Sequence, residues 1–190
     1  MTYLGLDNFE CTNPTVMTDF NMDNLEGAWY QAYASENTDV FGCIQYQFVK
    51  DETAADSELK AANLQTAWTA FNTYWNPLEK GEYANTYKLY GDVDGRLFEQ
   101  ENLTNGNTFS RILDTDYSTY FVEYSCNQSL LDLWTIEYID IYTKDGTLDG
   151  TTLDTIKTNL GTWTPNFKTD ELVVARTPGQ CAYEAVWGIF

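Results

Sequence analysis

Leu25-Glu26-Gly27-Ala28-Trp29-Tyr30 places a large aromatic directly after two small residues, at the head of a run whose apolar and polar side chains alternate to residue 35. Alternation with a period of two marks a half-buried strand, because successive side chains point to opposite faces. Similar short runs follow near residues 43–50, 58–72, 83–93, 96–103, 107–114, 118–126 and 132–143. Gly91-Asp92-Val93-Asp94-Gly95 and Asn105-Gly106-Asn107 separate neighbouring runs with residues that accept positive φ, as tight antiparallel turns require. About eight strands, each adjacent to the next, are expected. One stretch competes with this reading: Leu64, Trp68, Phe71 and Trp75 recur at spacings of 4, 3 and 4, which taken alone favours one face of a helix.

Past the eighth run, Thr151-Thr152-Leu153-Asp154 resembles a capping box, Leu153, Ile156 and Leu160 fall on one helical face, and Gly161 is a natural stop. A helix over about 150–161 is expected, held against the sheet because three apolar positions cannot sustain it alone. Leu172-Val173-Val174-Ala175 reads as a short terminal strand.

The 190 residues suit one domain able to bury roughly 70% of its unfolded surface. Fourteen Tyr and six Trp favour β structure with large amphipathic side chains. A net charge of −19 repels nucleic acid and anionic membranes; it suits a soluble secreted protein or one with a cationic partner. The chain has no His, which excludes a His-based catalytic triad, a His metal centre and a His-ligated haem. Its glycines lie in turns, so no phosphate-binding loop is present.

Cys11, Cys43, Cys126 and Cys181 lack the short spacings of zinc or redox motifs and point to disulfides formed in an oxidising compartment; three pairings are open. The sequons Asn102-Leu103-Thr104 and Asn127-Gln128-Ser129 agree with secretion and a glycoprotein. Met1–Asp7 has neither the basic nor the apolar stretch of a signal peptide, so secretion implies a leader trimmed ahead of it.

Gly27-x-Trp29 resembles the first signature of the lipocalins, and Thr115-Asp116-Tyr117-x-x-Tyr120 followed by Tyr124-Ser125-Cys126 resembles the second. The order Cys11, Pro14, Gly42-Cys43-Ile44-Gln45, Tyr-Ser-Cys and Cys181 is similar to the group of apolipoprotein D, the insect bilin-binding proteins and the crustacyanins. The resemblance implies a single domain over 1–190: an all-β, eight-stranded antiparallel up-and-down barrel over about 27–145, the helix on its wall, and a strand and tail over 170–190. It overrules the helical reading of Leu64–Trp75. It also implies the pairs Cys11–Cys126 and Cys43–Cys181, each closing a loop whose entropy is worth at most about 4 to 5 kcal/mol. A basic residue is expected to stack on Trp29 at the closed end; the aligned residue is Lys144, where most members carry Arg.

In the barrel so implied, cysteines that bind the tails face outward. Strand parity then turns Ile44, Tyr46 and Phe48 inward, together with Thr119, Phe121, Glu123 and Ser125. Counting back from Lys144 turns Trp134, Ile136, Tyr138, Asp140 and Tyr142 inward, while Arg111 faces out. Ile44, Tyr46, Phe48, Phe121, Glu123, Trp134, Ile136, Tyr138 and Asp140 are the candidate ligand-binding residues. The resemblance implies a carrier of a small hydrophobic ligand with no catalytic residue and no metal. An aromatic lining favours a flat conjugated chromophore, a non-covalent bilin or carotenoid, over a retinoid, sterol or fatty acid.

Two other readings compete. An enzyme would use Glu123 with Asp140, or Asp114 with Asp116, as acid and base. A self-associating or structural protein, forming a homo- or hetero-oligomer, would use Trp68, Trp75, Trp163 and Trp187 as contacts.

Overall fold

A computed structural model describes residues 11, 13–35, 42–50, 66–76, 81–91, 96–99, 107–128, 135–165 and 167–175; between 66 and 99 it gives backbone alone, apart from the side chains of Ala70 and Tyr74. The strands are β1 Gly27–Ser35, β2 Gly42–Lys50, β3 Thr66–Asn76, β4 Gly81–Gly91, β5 Arg96–Glu99, β6 Asn107–Thr115, β7 Tyr120–Gln128, β8 Thr135–Thr143 and β9 Leu172–Val174. From β1 to β8 each pairs antiparallel with the next, and β1 pairs with both β2 and β8. That double pairing closes eight strands into the expected up-and-down barrel, which removes the exposed edges of an open sheet.

Alternation along the strands divides the apolar residues into two clusters. Inside lie Trp29, Phe48, Ala70, Ile112, Phe121 and Tyr142, joined at one end by Phe20, Met22 and Leu25 from the preceding arm. Outside lie Leu113, Val122, Tyr124, Cys126, Ile139 and Ile141, covered by helix α1, Gly150–Trp163, and by Leu172 of β9. Ile156 and Leu160 are fully buried in that contact, and Leu153 and Trp163 partly so. Each buried aliphatic chain contributes about 1.5–3 kcal/mol, which holds a helix too short to persist alone.

The helix starts at Gly150 as expected, but its capping residue and its end differ from expectation. Its N-cap is Asp149, whose Oδ1 accepts from the N–H groups of Thr151 and Thr152, so the cap lies two residues ahead of the Thr151 start. Gly161 does not stop it: that residue is exposed with open space around it, and the helix runs on to Trp163. The end comes at Thr164, whose N–H and Oγ1 both donate to the Leu160 carbonyl.

The described part of the run expected over 58–72 is strand and continues to Asn76, as Thr66–Asn76; residues 58–65 lie outside the described set. Register with β4, from Thr66↔Gly91 to Asn76↔Gly81, satisfies its backbone on one side, and β2 does so on the other. Paired ladders on both edges override the helical spacing of Trp68, Phe71 and Trp75.

β1 carries a bulge between Gln31 and Tyr33. Before it, Trp29 and Gln31 share the inner face; after it, Tyr33 packs with the outer cluster. The extra residue, Ala32, offers its carbonyl to the N–H of Ala175 at 2.9 Å, just beyond β9.

Cys11 and Cys126 form a disulfide with Cα atoms 5.9 Å apart, pinning the N-terminal arm to the outer face of β7. The Thr15 N–H donates to the Trp163 carbonyl, tying the same arm to the end of α1. Cys43 is also disulfide-bonded; its expected partner, Cys181, lies outside the described residues, as do Asn102, Trp134 and Trp187. Replacing the first pair by Cys11→Ser with Cys126→Ala is expected to lower the urea unfolding free energy by about 2–4 kcal/mol while the far-ultraviolet dichroism keeps its β signature.

Candidate ligand-binding site

The site is a barrel interior, and its closed end is built first. Phe20, Asn21 and the 3-10 turn Met22–Leu25 cross that end, with Phe20, Met22 and Leu25 buried. Gly27 enters β1 at φ +103°, a conformation L side chains rarely adopt, and this brings the chain from the turn to Trp29. The Trp29 ring is completely buried, and its indole N–H donates to the Leu25 carbonyl at 2.7 Å. Lys144 places its ammonium 3.7 Å from the ring centroid and donates to the Glu26 carbonyl at 3.1 Å. Burial draws the Lys144 ammonium below the ordinary lysine range.

A second clamp comes from the β6–β7 turn. The N–H groups of Ser118, Thr119 and Tyr120 all donate to Oδ1 of Asp116, and the Thr119 hydroxyl donates to Oδ2. Partial burial pushes this carboxyl up, but the four hydrogen bonds outweigh it and bring it down from 3.8 to about 2. The turn holds Tyr117 at φ +62°, its ring stacked on Phe20 and its hydroxyl accepting from the Asn21 N–H. Tyr120 donates to Asp114 at 2.8 Å. Asp114 and Asp116 are thus engaged in holding the closed end together.

Above Trp29 the inner wall is aromatic. Trp29 meets Phe121 edge-on at 5.1 Å, Phe121 stacks on Tyr142 at 4.7 Å, Tyr142 lies 5.0 Å from Tyr46, and Tyr46 stacks on Phe48 at 5.3 Å. Ile44 packs against the same cluster.

The next rung is polar. Glu123 and Asp140 are register partners across β7 and β8, each 7% exposed. Glu123 alternates with inward Phe121 and stands opposite inward Ile112 on β6; Asp140 alternates with inward Tyr142. Gln31 donates its amide N–H to Oδ1 of Asp140 at 3.0 Å. Burial and the charge of Asp140 raise the Tyr138 phenol, which places that phenol in the same field. One rung further, the Ser110 and Ser125 hydroxyls are 2.8 Å apart. The wall therefore passes from stacked rings to a belt of hydrogen-bonding groups dominated by two carboxylates.

No family model matches this sequence, and no curated protein sequence matches it. Solved structures do. Lobster apocrustacyanin A1 aligns with a TM-score of 0.63 at 18% identity, over 86% of this chain and 83% of that one. Insecticyanin from the tobacco hornworm Manduca sexta aligns with a TM-score of 0.66 at 15% identity, over 90% and 89%. This chain has the lipocalin fold. The siderocalin Ex-FABP is a further match, at 15% identity and a TM-score of 0.60 over 84% of this chain and 97% of that one.

Within that lipocalin fold, the structure brings Ile44, Tyr46, Phe48, Phe121, Glu123, Tyr138 and Asp140 to one inner wall, where parity placed them. Ile136 has a described backbone paired with Asn127, and Trp134 lies outside the described residues. Arg111 stands opposite outward Tyr124, as expected. Gln31, which meets Asp140, was missed by sequence reasoning. Parity from Trp29 turns it inward, but the partner is 109 positions away and no local pattern names it.

Lys144 fills the place expected of a basic residue, stacking through an ammonium in place of a guanidinium. Lys144→Met should cost about 1–2 kcal/mol of thermal stability, whereas Lys144→Arg retains the contact. The Asp116 carboxylate, lower in the fold than its ordinary 3.8, stabilises the protein above that pH and loses its contribution as pH falls toward 2. Asp116→Asn, which keeps an oxygen for the backbone donors, should therefore flatten the acid limb of stability between those values in a denaturant series.

Proposed function

We propose that this protein binds and carries or sequesters a small hydrophobic ligand inside the barrel, a conjugated chromophore such as a bilin or carotenoid before a retinoid, sterol or fatty acid. The observation that carries the reading is the inward belt of Glu123, Asp140 and Gln31 above a floor of stacked rings. An interior selected for packing alone gains nothing from two buried carboxylates, which are costly without hydrogen-bonding partners. An interior that receives a guest uses apolar walls for affinity and a few convergent polar groups for orientation. Ring faces such as Tyr46 and Tyr142 also suit a flat conjugated body.

The fold supports the same reading. Ex-FABP, which shares it, is described as functioning through dual ligand specificities. Catalysis has less support here, since Asp114 and Asp116 are committed to the closed-end turn. Trp163, one of the aromatics considered for self-association, packs against the outer cluster under α1. Among the described residues no helix is long and apolar enough to cross a membrane. We read the chain as one secreted domain, consistent with the Cys11–Cys126 disulfide.

Burying about 500 Å² of apolar ligand surface gives a gross gain near 12 kcal/mol, reduced by association costs to micromolar or nanomolar affinity. Titration with biliverdin, β-carotene, retinol and oleate, followed by tryptophan quenching and visible absorbance, should show one saturable site of that strength and a shifted spectrum for a pigment. Absence of saturable binding for all four defeats the carrier reading; binding of oleate or retinol alone defeats its chromophore version.

A further inference from the structure

Resting on the carrier reading above, we infer that Ser110, Ser125 and Tyr138 form a hydroxyl rung that binds the polar end of the guest, and that this end is an alcohol. Ser110 is the register partner of Ser125, and Ser125 that of Tyr138, so the three stand side by side on β6, β7 and β8. By strand parity they share the inner face with Ile112, Phe121 and Tyr142. All three are only partly buried although they face inward, so the interior is open at this height.

Side-chain size accounts for the opening. Toward the closed end β7 and β8 carry the buried rings of Phe121 and Tyr142, stacked on one another. At the hydroxyl rung β6 and β7 oppose two serines, and the ring volume they lack is space beside their hydroxyls. A layer built for packing alone is filled with large apolar side chains to the density of the rest of the core.

Counting donors and acceptors gives the chemistry of the guest. A hydroxyl has one hydrogen and two acceptor lone pairs. The 2.8 Å bond between the Ser110 and Ser125 hydroxyls uses one of each, leaving the pair one hydrogen and three lone pairs. Among the described residues the Tyr138 hydroxyl has no hydrogen-bond partner, and burial with the charge of Asp140 holds its proton in place. The rung therefore presents donors and acceptors together, with acceptors in excess. An alcohol gives one hydrogen and accepts another, so it uses both kinds of group. A ketone or ether only accepts, and a hydrocarbon leaves the whole rung facing apolar surface. A charged end exchanges full hydration for a few neutral dipoles, which is costly inside a protein.

The test compares retinol with axerophthene, the hydrocarbon of the same polyene body with hydrogen in place of the hydroxyl, and uses biliverdin as an independent probe of the hollow. Each is titrated by tryptophan quenching at neutral pH. The native protein should bind retinol at least as tightly as axerophthene, because the rung offsets the lost hydration of the hydroxyl. In the triple variant Ser110→Ala/Ser125→Ala/Tyr138→Phe, retinol should weaken about 10-fold while axerophthene binds as tightly or tighter, which also reports that the barrel is intact. Axerophthene binding about 10-fold tighter than retinol to the native protein overturns the inference and needs no variant. Retinol affinity unchanged in a variant that still binds axerophthene also overturns it. Binding of biliverdin with neither retinoid overturns it and leaves the carrier reading intact. Failure of all three removes the carrier reading and this inference with it.

Discussion

Every hydrogen-bonding edge of β1 has to be used, and the rest of the architecture follows from that constraint. A barrel has no free edge only if its first strand meets both its second and its last. β1 pairs with β2 from Gly27 to Tyr30 and with β8 from Tyr30 to Ala34. Once β2 has left it, β9 pairs with its outer half, from Tyr33 to Ser35. The chain therefore returns to the barrel after the helix, and the helix is positioned by the need to bring it back. Leu172 of β9 and Ile156 and Leu160 of α1 then share one apolar cluster on the wall.

The interior depends on the same strand. Trp29, Gln31 and the bulge sit within four residues of β1, so the floor, the polar belt and the turn toward the outer wall are set along one short segment. Trp29 seals one end because its N–H, its face and its edge each have a partner: Leu25, Lys144 and Phe121. Asp116 seals it a second time by collecting the backbone donors of the turn beneath. One end of the barrel is thereby rigid, and polar groups are kept for the rung above the rings.

Much of this was legible in the chain because β structure has a period of two. Once Cys126 is taken as outward, Phe121, Glu123 and Ser125 must be inward, and the structure agrees. Lys144 over Trp29 was legible only through the lipocalin resemblance, which aligned it with the family's basic residue, and the inward faces of Tyr142 and Asp140 were counted back from it. What local pattern could not supply were contacts decided by distant partners. Leu64, Trp68, Phe71 and Trp75 carry a helical spacing, yet Thr66–Asn76 is a strand because β2 and β4 satisfy its backbone on both sides. Gly161 has the chemistry of a helix stop, but Thr164 ends the helix, because its hydroxyl and N–H both find the Leu160 carbonyl. Parity from Trp29 would turn Gln31 inward, but its bond to Asp140 joins residues 109 positions apart and leaves no local trace.

That bulge has a meaning for the length of the chain. Ala32 is the surplus residue, and its carbonyl is the mooring for Ala175 where the returning segment comes alongside. Shortening β1 by this one alanine would leave the inward rings and acids in step with their partners, since the faces on either side already alternate correctly around it. It would take away one rung at the end of the ladder to the returning segment, while the pairs from Tyr33 to Ser35 still hold that segment, so this position loosens the grip on the tail without touching a residue of the hollow.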